Sequence, residues 1–590
     1  LDNQRNLILA VVLCLAMLLG FDFVMGRVYP QPTVTQTAKH EVREAATTAT
    51  AAKHIRDGGL VDPVEQALEV RDLSSALASP QRIRIDAKEL AGSINPVGAR
   101  IDDVVLKTHR QTVKKDSGPV RLFSPSGTPA QHFAQFGWVG PQGMAIPTPD
   151  TVWQVQGTAL TQATPVTLSW DNGQGQLFTI RFAIDEFYML TVDQTVVNRG
   201  TAAVTVRPYG FLNRTSRTAS QDTWNVQSGP IGNFDGSVSF GTNYKDVDED
   251  KLVTAKGRPN WIGFTDIYWL SVLVPQDGAT ATGDWRALGN ETYRADMLYN
   301  PVTVAPGAQA SRTTRLFAGA KESRVLDHYE NGGISNFGLA IDWGWFRWLM
   351  YPIFALLKSL YSITGNFGVA IILLTVIVRA IMFPVAQKQF ASMAQMRAVQ
   401  PKMKALQERY KDDKAKLQGE MAKLYKDEGV NPLAGCLPIF LQIPIFFALY
   451  KTLMVSIEMR HKPFVAWIQD LSAPDPLMIL NGFGLLPFTP PTFLSLGILA
   501  LLLGITMWLQ FRLNPAAMDP VQQQVFSIMP WMMMFVMAPF ASGLLIYWIT
   551  SNLLTVAQQQ YLYSRHPQLK QQIAKDKEDK ARAAERGVKG

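Results

Sequence analysis

The sequence predicts a polytopic α-helical membrane protein of six transmembrane helices that carries a large all-β domain on its outer side. Three observations lead there. Composition changes sharply along the 590 residues, apolar runs of bilayer length occur at the start and in the second half, and clusters of Lys and Arg assign those runs a topology. The averages, 47% hydrophobic residues and a formal charge of +8, conceal the change. Residues 30–330 are polar and rich in Gly, Thr, Val and Asp, whereas 337–563 are dominated by Leu, Ile, Phe, Met and Trp around one charged interruption.

The first apolar run, 7–25, can span a bilayer at ~20 residues. Gly26-Arg-Val-Tyr-Pro30 offers no Ala-x-Ala-like cleavage site, so residues 1–26 read as an uncleaved signal anchor. Cys14 is a poor lipoprotein acceptor, because Val11-Val12-Leu13 lacks the small residue such signals favour; with Cys436 it reads as a small buried side chain. Leu1 stands where an initiator Met is expected, which suits an engineered start or an alternative start codon. Residues 27–60, Thr, Ala, Gln, Lys and Glu without periodicity, suit a flexible linker.

The β-domain is expected over 61–330. Stretches such as Thr179-Ile-Arg-Phe-Ala-Ile184 and Tyr188-Met-Leu-Thr-Val-Asp-Gln-Thr-Val197 are β-branched, aromatic and partly alternating. Turn clusters at 171–175 and 198–200 bound them, and strands at this spacing suggest a sandwich. Residues 337–351 mix Trp343, Trp345, Phe346 and Trp348 with Asp342 and Arg347, the composition of an amphipathic helix lying in the headgroup boundary.

The second transmembrane region, 352–384, has its apolar span at about 364–384. Four more spans are expected in 431–563: 433–450, 493–511, and two within 525–563, where Ala538-Pro-Phe-Ala-Ser-Gly543 favours a tight turn. Between the second and third spans, 385–430 carries ten basic residues against six acidic ones, and the tail at 564–590 carries eight against four. The positive-inside rule places both in the cytoplasm. Six crossings then put both termini in the cytoplasm and the β-domain outside; five would strand one basic segment. Within 385–430, Met396, Val399, Met403, Leu406 and Tyr410 recur at spacings of three and four, and Leu417, Met421 and Leu424 follow the Asp412-Asp413 break, as in a helical hairpin with an apolar seam.

The chain offers little to an enzyme. It has no Gly-x-x-x-x-Gly-Lys-Ser/Thr loop, no His-Glu-x-x-His and no Cys-x-x-Cys, and its seven histidines are scattered, so no catalytic group, metal or cofactor is expected. Polar residues inside the apolar runs are more telling. Arg379 stands near the end of the run 367–383, where a guanidinium that cannot be neutralised costs roughly 2.5–3.5 kcal/mol at a helix centre. Snorkelling past Pro384 and a hydrated cavity both satisfy it. Thr375 lies one turn away, Gln442 sits between Pro438 and Pro444, and Ser551 and Asn552 interrupt the last span. No acidic residue falls within the expected cores of the last five spans, which favours water around Arg379.

These residues lie in recognisable company. Thr375-Val-Ile-Val-Arg-Ala-Ile-Met-Phe-Pro384, Gln400-Pro-Lys-Met403, Val430-Asn-Pro-Leu-Ala-Gly-Cys-Leu-Pro438, Gln442-Ile-Pro-Ile-Phe-Phe-Ala-Leu-Tyr450 and Ser542-Gly-Leu-Leu-Ile-Tyr-Trp548 resemble the YidC membrane protein insertases, over 337–563. The resemblance implies the Gram-negative type, whose periplasmic domain is a β-supersandwich, in a bacterial inner membrane. It implies that Arg379 sits in a hydrophilic groove open to cytoplasm and lipid but closed outside; Thr375, Gln442, Ser551 and Asn552, as polar residues in apolar runs, suit the lining of such a space or interhelical hydrogen bonds. A greasy path for the incoming helix would use Ile443, Pro444, Phe447, Val536, Tyr547 and Trp548. Some relatives carry Tyr at the position of Trp548, and the Pro-rich connection 481–492 is longer than the family pattern. Implied partners are nascent membrane proteins, the lipid bilayer and the Sec translocon, with no small-molecule substrate; the basic tail suits ribosomal RNA phosphates. Two other readings stay open: a channel or solute transporter, which calls for inverted repeats, and a sugar-acting enzyme in the β-domain, which calls for paired acid/base residues in a cleft.

Overall fold

A computed structural model describes residues 72–565, apart from 115, 221–225, 277, 345–346, 411–412, 430–436, 484, 487–495 and 514–519. The anchor at 1–26, the linker at 27–60, Cys14, Cys436 and all of the basic tail beyond Arg565 lie outside the described residues.

The β-domain forms from antiparallel strands whose alternation in sequence becomes alternation of burial. In strand Gln176–Ile184 every second residue is buried, and it pairs in register with Met189–Asn198 from Leu190–Ile184 to Asn198–Gln176. Asp185 makes the turn between them, its carboxylate accepting from the amides of Phe187 and Met189 at 2.9 and 3.1 Å. At the other end of the hairpin the two expected turns meet: Arg199 N donates to Gly175 O at 2.7 Å, and a Cβ on Gly175 would lie 3.0 Å from the Gly200 backbone. The strands form one sheet of eleven and one of nine. Trp285 Nε1 donates across to Gly263 O at 3.1 Å, and Gln194 Nε2 to Gly137 O at 2.8 Å, so polar bonds as well as apolar packing join the two sheets.

The helices are α1 (Leu73–Leu77), α2 (Tyr244–Asp250), α3 (Ser323–Asn331), α4 (Arg347–Thr364), α5 (Phe367–Ile381), α6 (Phe383–Arg409), α7 (Lys414–Asp427), α8 (Leu437–Val455), α9 (Ile498–Leu513), α10 (Pro520–Met537) and α11 (Ser542–Arg565). Where an interfacial helix is expected, at 337–351, residues Phe337–Ala340 form a single 3₁₀ turn, Gly344 takes φ +65°, and the described part of α4 runs from Arg347 to Thr364. It is amphipathic, with Met350, Ile353, Phe354 and Leu357 buried along one stripe. The hairpin α6–α7 packs Val399 and Met403 against Met421, Leu424 and Tyr425, and Asp413 caps α7 through the Lys416 amide at 3.0 Å.

The helices fall on the expected apolar runs, but the six-span count is not reproduced. Among the described residues no helix is both long and apolar enough to cross a membrane. Gly365 (φ +67°) sets the start of α5, which ends after 15 residues at Met382, still in the right-handed helical region immediately before α6. The last helix, α11, is long at 24 residues, yet carries Ser551, Asn552 and three consecutive glutamines, 558–560.

One strap, residues 456–476, ties both parts together. Glu458 accepts from the Ser323 amide and hydroxyl at 2.9 and 2.7 Å, and Lys358 donates to Ser323 Oγ at 2.9 Å. Arg460 donates to the carbonyls of Arg110 and Gln111 at 2.9 and 3.1 Å and lies over the rings of Tyr268 and Trp269. At its other end the carbonyls of Leu471 and Ala473 accept from Gly543 and Ser542, the first residues of α11, and Asp475 accepts from the Leu499 amide at the start of α9.

Candidate functional site

Helix α11 is the hub of the polar residues within the helical part, because it presents each turn to a different neighbour. Ser551, buried, accepts from Arg379 Nε of α5 at 3.1 Å and also from its Nη2. Four residues earlier on the same face, Tyr547 accepts from Gln442 of α8. On the opposite side Asn552 Nδ2 donates to Thr506 Oγ1 of α9 at 3.2 Å. Three side-chain pairs thus fasten α11 to α5, α8 and α9, the interhelical bonds expected where small apolar contacts alone hold helices together.

Arg379 stands in the last turn of α5, half-buried, with its main-chain carbonyl 3.5 Å from Gln558 Nε2. Its guanidinium hydrogen bonds go to a neutral hydroxyl, and among the described residues no carboxylate pairs with it. A guanidinium carries five N–H donors, so one serine leaves most of its capacity for water or an incoming acceptor.

The sequence-derived groove residues separate into two groups. Arg379, Ser551 and Gln442 converge on one face of α11, joined there by Tyr547, which the resemblance had placed on the greasy path. Thr375 is buried and donates to Ile371 O of its own helix at 2.7 Å, and Asn552 is turned to α9. Thr506 and Gln558 were missed, since a lone Thr in an apolar run and a Gln past the run's end carry no signal by themselves. Of the greasy-path residues, Ile443 and Phe447 on α8 are exposed, Pro444 interrupts the amide ladder between them, Val536 on α10 is half-buried, and Trp548 meets Phe446 edge-on at 5.2 Å.

The β-domain holds a second polar cluster. His109 Nε2 is 3.1 Å from Glu322 Oε1, which also accepts from Tyr188 at 2.7 Å, with Trp269 edge-on to the imidazole at 5.5 Å. His132 lies apart, buried and 2.9 Å from Ser271, its pKa pushed well below the ordinary range by burial beside Arg214. Glu322 directly precedes Ser323, and Trp269 lies under Arg460, so this cluster adjoins the junction with the strap. Among the described residues no group of His, Cys, Asp and Glu could hold a metal.

Residues 359–571 match the family model described as 60Kd inner membrane protein, and residues 82–356 match the one described as YidC periplasmic domain. The membrane protein insertase YidC of Zymomonas mobilis subsp. mobilis is 44% identical over 569 residues, 96% of each chain. That of Beijerinckia indica subsp. indica is 42% identical over 583 residues, again 96% of each. A solved structure of an active YidC insertase with its first transmembrane domain resolved aligns at 19% identity and a TM-score of 0.36, covering 81% of this chain and 92% of that one. With relatives this similar across nearly its whole length, the chain belongs to the YidC family of membrane protein insertases, inner membrane proteins with a periplasmic domain, which here is mostly β-sheet.

Proposed function

We propose that this chain inserts and folds inner-membrane proteins by shortening the path that a polar outer segment must take through the bilayer. The observation that carries the reading is Arg379: a half-buried cation held by Ser551 rather than by a carboxylate, in a helical part that also exposes the apolar residues Ile443 and Phe447. An acidic segment of a client would exchange some of its hydration for that guanidinium, while the client's apolar helix moves along α8 and α10 into lipid. An inside-negative potential favours outward movement of each negative charge by ~2.3 kcal/mol per 100 mV, so no nucleotide is needed. Thr375, Gln442, Ser551 and Asn552 would line or brace the groove, and Pro444, Val536, Tyr547 and Trp548 would complete the greasy path.

In this reading the chain crosses the inner membrane six times, both termini are cytoplasmic and the β-domain is periplasmic. It acts alone or with the Sec translocon. Its basic tail approaches ribosomes through a contact that weakens with salt as counterions are released.

The test is reconstitution of the purified chain in liposomes with a single-span client whose outer segment is either acidic or neutral. Arg379→Ala should impair insertion of the acidic client about tenfold or more, equivalent to roughly 1.4 kcal/mol, and spare the neutral one. Arg379→Lys should retain much of the activity. Equal loss for both clients would sink the electrostatic part of the proposal.

A further inference from the structure

The segment 476–486 follows the strap, and the membrane-insertion reading gives it no task. Its apolar side chains point outward: Leu485 is 86% exposed, Phe483 54%, Leu486 51% and Leu480 46%. Its backbone nevertheless behaves as if water were absent. Phe483 N donates to Met478 O at 2.9 Å, Gly482 N to Ile479 O at 3.1 Å, Leu486 N to Asn481 O at 3.0 Å, and Leu485 N to Gly482 O at 3.3 Å. Internal satisfaction of main-chain donors beneath exposed apolar side chains suits hydrocarbon, where an unpartnered amide is costly, better than water. Phe483 holds φ +63°, unusual for a bulky residue, directly after Gly482 at +61°.

This knot is stitched to the start of α9. Ile479 N donates to Leu496 O at 2.8 Å, Met478 bridges Gly497, and Leu477 N shares Asp475 with the Leu499 amide. Helix α9 has 16 residues, about 24 Å at 1.5 Å each, against a hydrocarbon core of roughly 30 Å. Its exposed stripe of Leu502, Ile505 and Trp508 ends at Arg512, which lies over Trp508 at 5.0 Å. No Asp, Glu, Lys or Arg occurs from residue 476 to residue 511. The uncharged surface therefore runs from Trp508 up the stripe and onto the knot, and the knot lies at the end of α9 that is too short.

We infer that the knot Leu477–Leu486 is a lipid anchor, seated among the acyl chains of the outer leaflet and supplying the apolar height that α9 lacks. Phe483 and Leu485 would be its deepest contacts, and the strap between knot and β-domain would then hold that domain at a set height above the bilayer. The inference rests on the helical part lying in a bilayer with its β-domain end outward.

The experiment places an environment-sensitive dye on a single cysteine in the full chain, with Cys14 and Cys436 replaced by Ser, in phosphatidylethanolamine–phosphatidylglycerol vesicles. Labels go on Leu485→Cys, on Ile505→Cys in the stripe, and on Val113→Cys, which is exposed on the β-domain. Interfacial elements seat ~5–10 Å into the headgroup–acyl boundary. The Leu485 dye should therefore lose most of its emission to a nitroxide high on the acyl chain, less to one near the chain end, and little to aqueous iodide. The Val113 dye should respond to iodide alone. If the Leu485 dye behaves like the Val113 dye, the anchor is refuted. Protection from both quenchers would refute it too, by showing that protein covers the knot. If the Ile505 dye also escapes lipid quenching, the bilayer placement of α9 fails and the anchor falls with it; quenching at Ile505 without quenching at Leu485 overturns the anchor alone.

Discussion

In the β-domain a buried cation meets a carboxylate: Arg214 is paired with Asp266 and Arg82 with Asp102, all four side chains almost inaccessible to solvent. In the helical part Arg379 meets a serine. In the first arrangement Asp266 also accepts from the Ser220 amide at 2.7 Å and Ser228 Oγ at 2.9 Å, so the carboxylate is shared among three partners. The second leaves donors free, and the residues around it bond pairwise between helices that are short, Pro-interrupted or rich in glutamine. A buried ion pair shared with further donors is built to stay closed. A guanidinium that only a serine holds, in a bundle that also exposes Ile443 and Phe447, is built to accept something. The proposed division of labour follows from that contrast.

The largest effect should come from breaking a completed pair. Asp266→Ala strands Arg214 inside the sandwich and removes an acceptor shared by Ser220 and Ser228; removal of one member of a buried pair costs about 3–5 kcal/mol. Differential scanning calorimetry should show that loss, while insertion of a simple client below the lowered melting temperature continues. If insertion fails in step with the β-domain, the two regions are not separable in the way described.

Next comes the junction itself. Lys321 is fully buried, donating to Thr265 Oγ1 at 3.1 Å and to Ala340 O at 3.3 Å. Burial, opposed by Asp266 and Asp342 and assisted by Lys451, brings its ammonium down to about 8 from the ordinary 10.5. The folded state therefore binds fewer protons than the unfolded one between pH 8 and 10.5, and this group's contribution to stability rises with pH across that window. It is fully present above 10.5 and is lost as pH falls through 8. The span corresponds to ~3 kcal/mol at about 1.36 kcal/mol per unit. Lys321→Met should abolish that share of the pH dependence, read as the difference between the two proteins' melting temperatures at pH 7.5 and 10. An unchanged difference would show that burial does not lower the Lys321 pKa and that its ammonium titrates as in the unfolded chain.

How much of this was legible in the sequence depends on whether a residue's partner is near it in the chain. The hairpin of Gln176–Ile184 and Met189–Asn198 was readable because period-two burial and the Asp171–Gly175 turn are local properties. Arg379 stood out because a charge in an apolar run is conspicuous without any structure. The pairings Gln442–Tyr547 and Asn552–Thr506 were not readable, because each joins helices far apart in sequence and a phenol or a threonine gives no sign of which neighbour it will meet. The 3₁₀ turn at Phe337–Ala340 and the left-handed Gly344 were not readable, because four aromatics outweigh Gly338 and Gly344 in a compositional reading. Helix ends were hard to read for the related reason that hydropathy runs smoothly over Gly365, which takes φ +67°. The strap at 456–476 had no signature, being a set of carbonyls and side chains that acquire meaning only from what they touch.

A subtler effect separates bracing from attraction at the site. Ser551→Ala removes the hydroxyl held by Arg379 and should cost the bundle only ~0.6 kcal/mol, the average for an interhelical side-chain bond in a membrane. It frees the guanidinium rather than deleting it, so insertion of the acidic client should be kept or enhanced, in contrast to Arg379→Ala. Matched losses in the two variants, measured in the same liposome assay, would mean that the Arg379–Ser551 pair is a structural clasp and not a poised receptor.

The smallest effect is expected in the hairpin α6–α7, whose fastening is slight. Beyond the seam of Val399 and Met403 against Met421, Leu424 and Tyr425, the described residues offer an ion pair between Lys402 and Glu428, the lysine largely in solvent. Exposed pairs contribute about 0.2–1 kcal/mol and are screened by salt, so Glu428→Gln should loosen the hairpin by no more than that. Native-state hydrogen exchange of the α7 amides reads it directly: protection should fall by less than about fivefold at low salt and show almost no difference from the parent chain at 0.5 M salt, where the Debye length is only a few ångströms. Such a hairpin can part for a nascent chain at little cost, as its methionine seam and charged outer faces suit. A loss of protection beyond a hundredfold would instead make the pair a buried clamp, and the hairpin a rigid brace between the second and third spans.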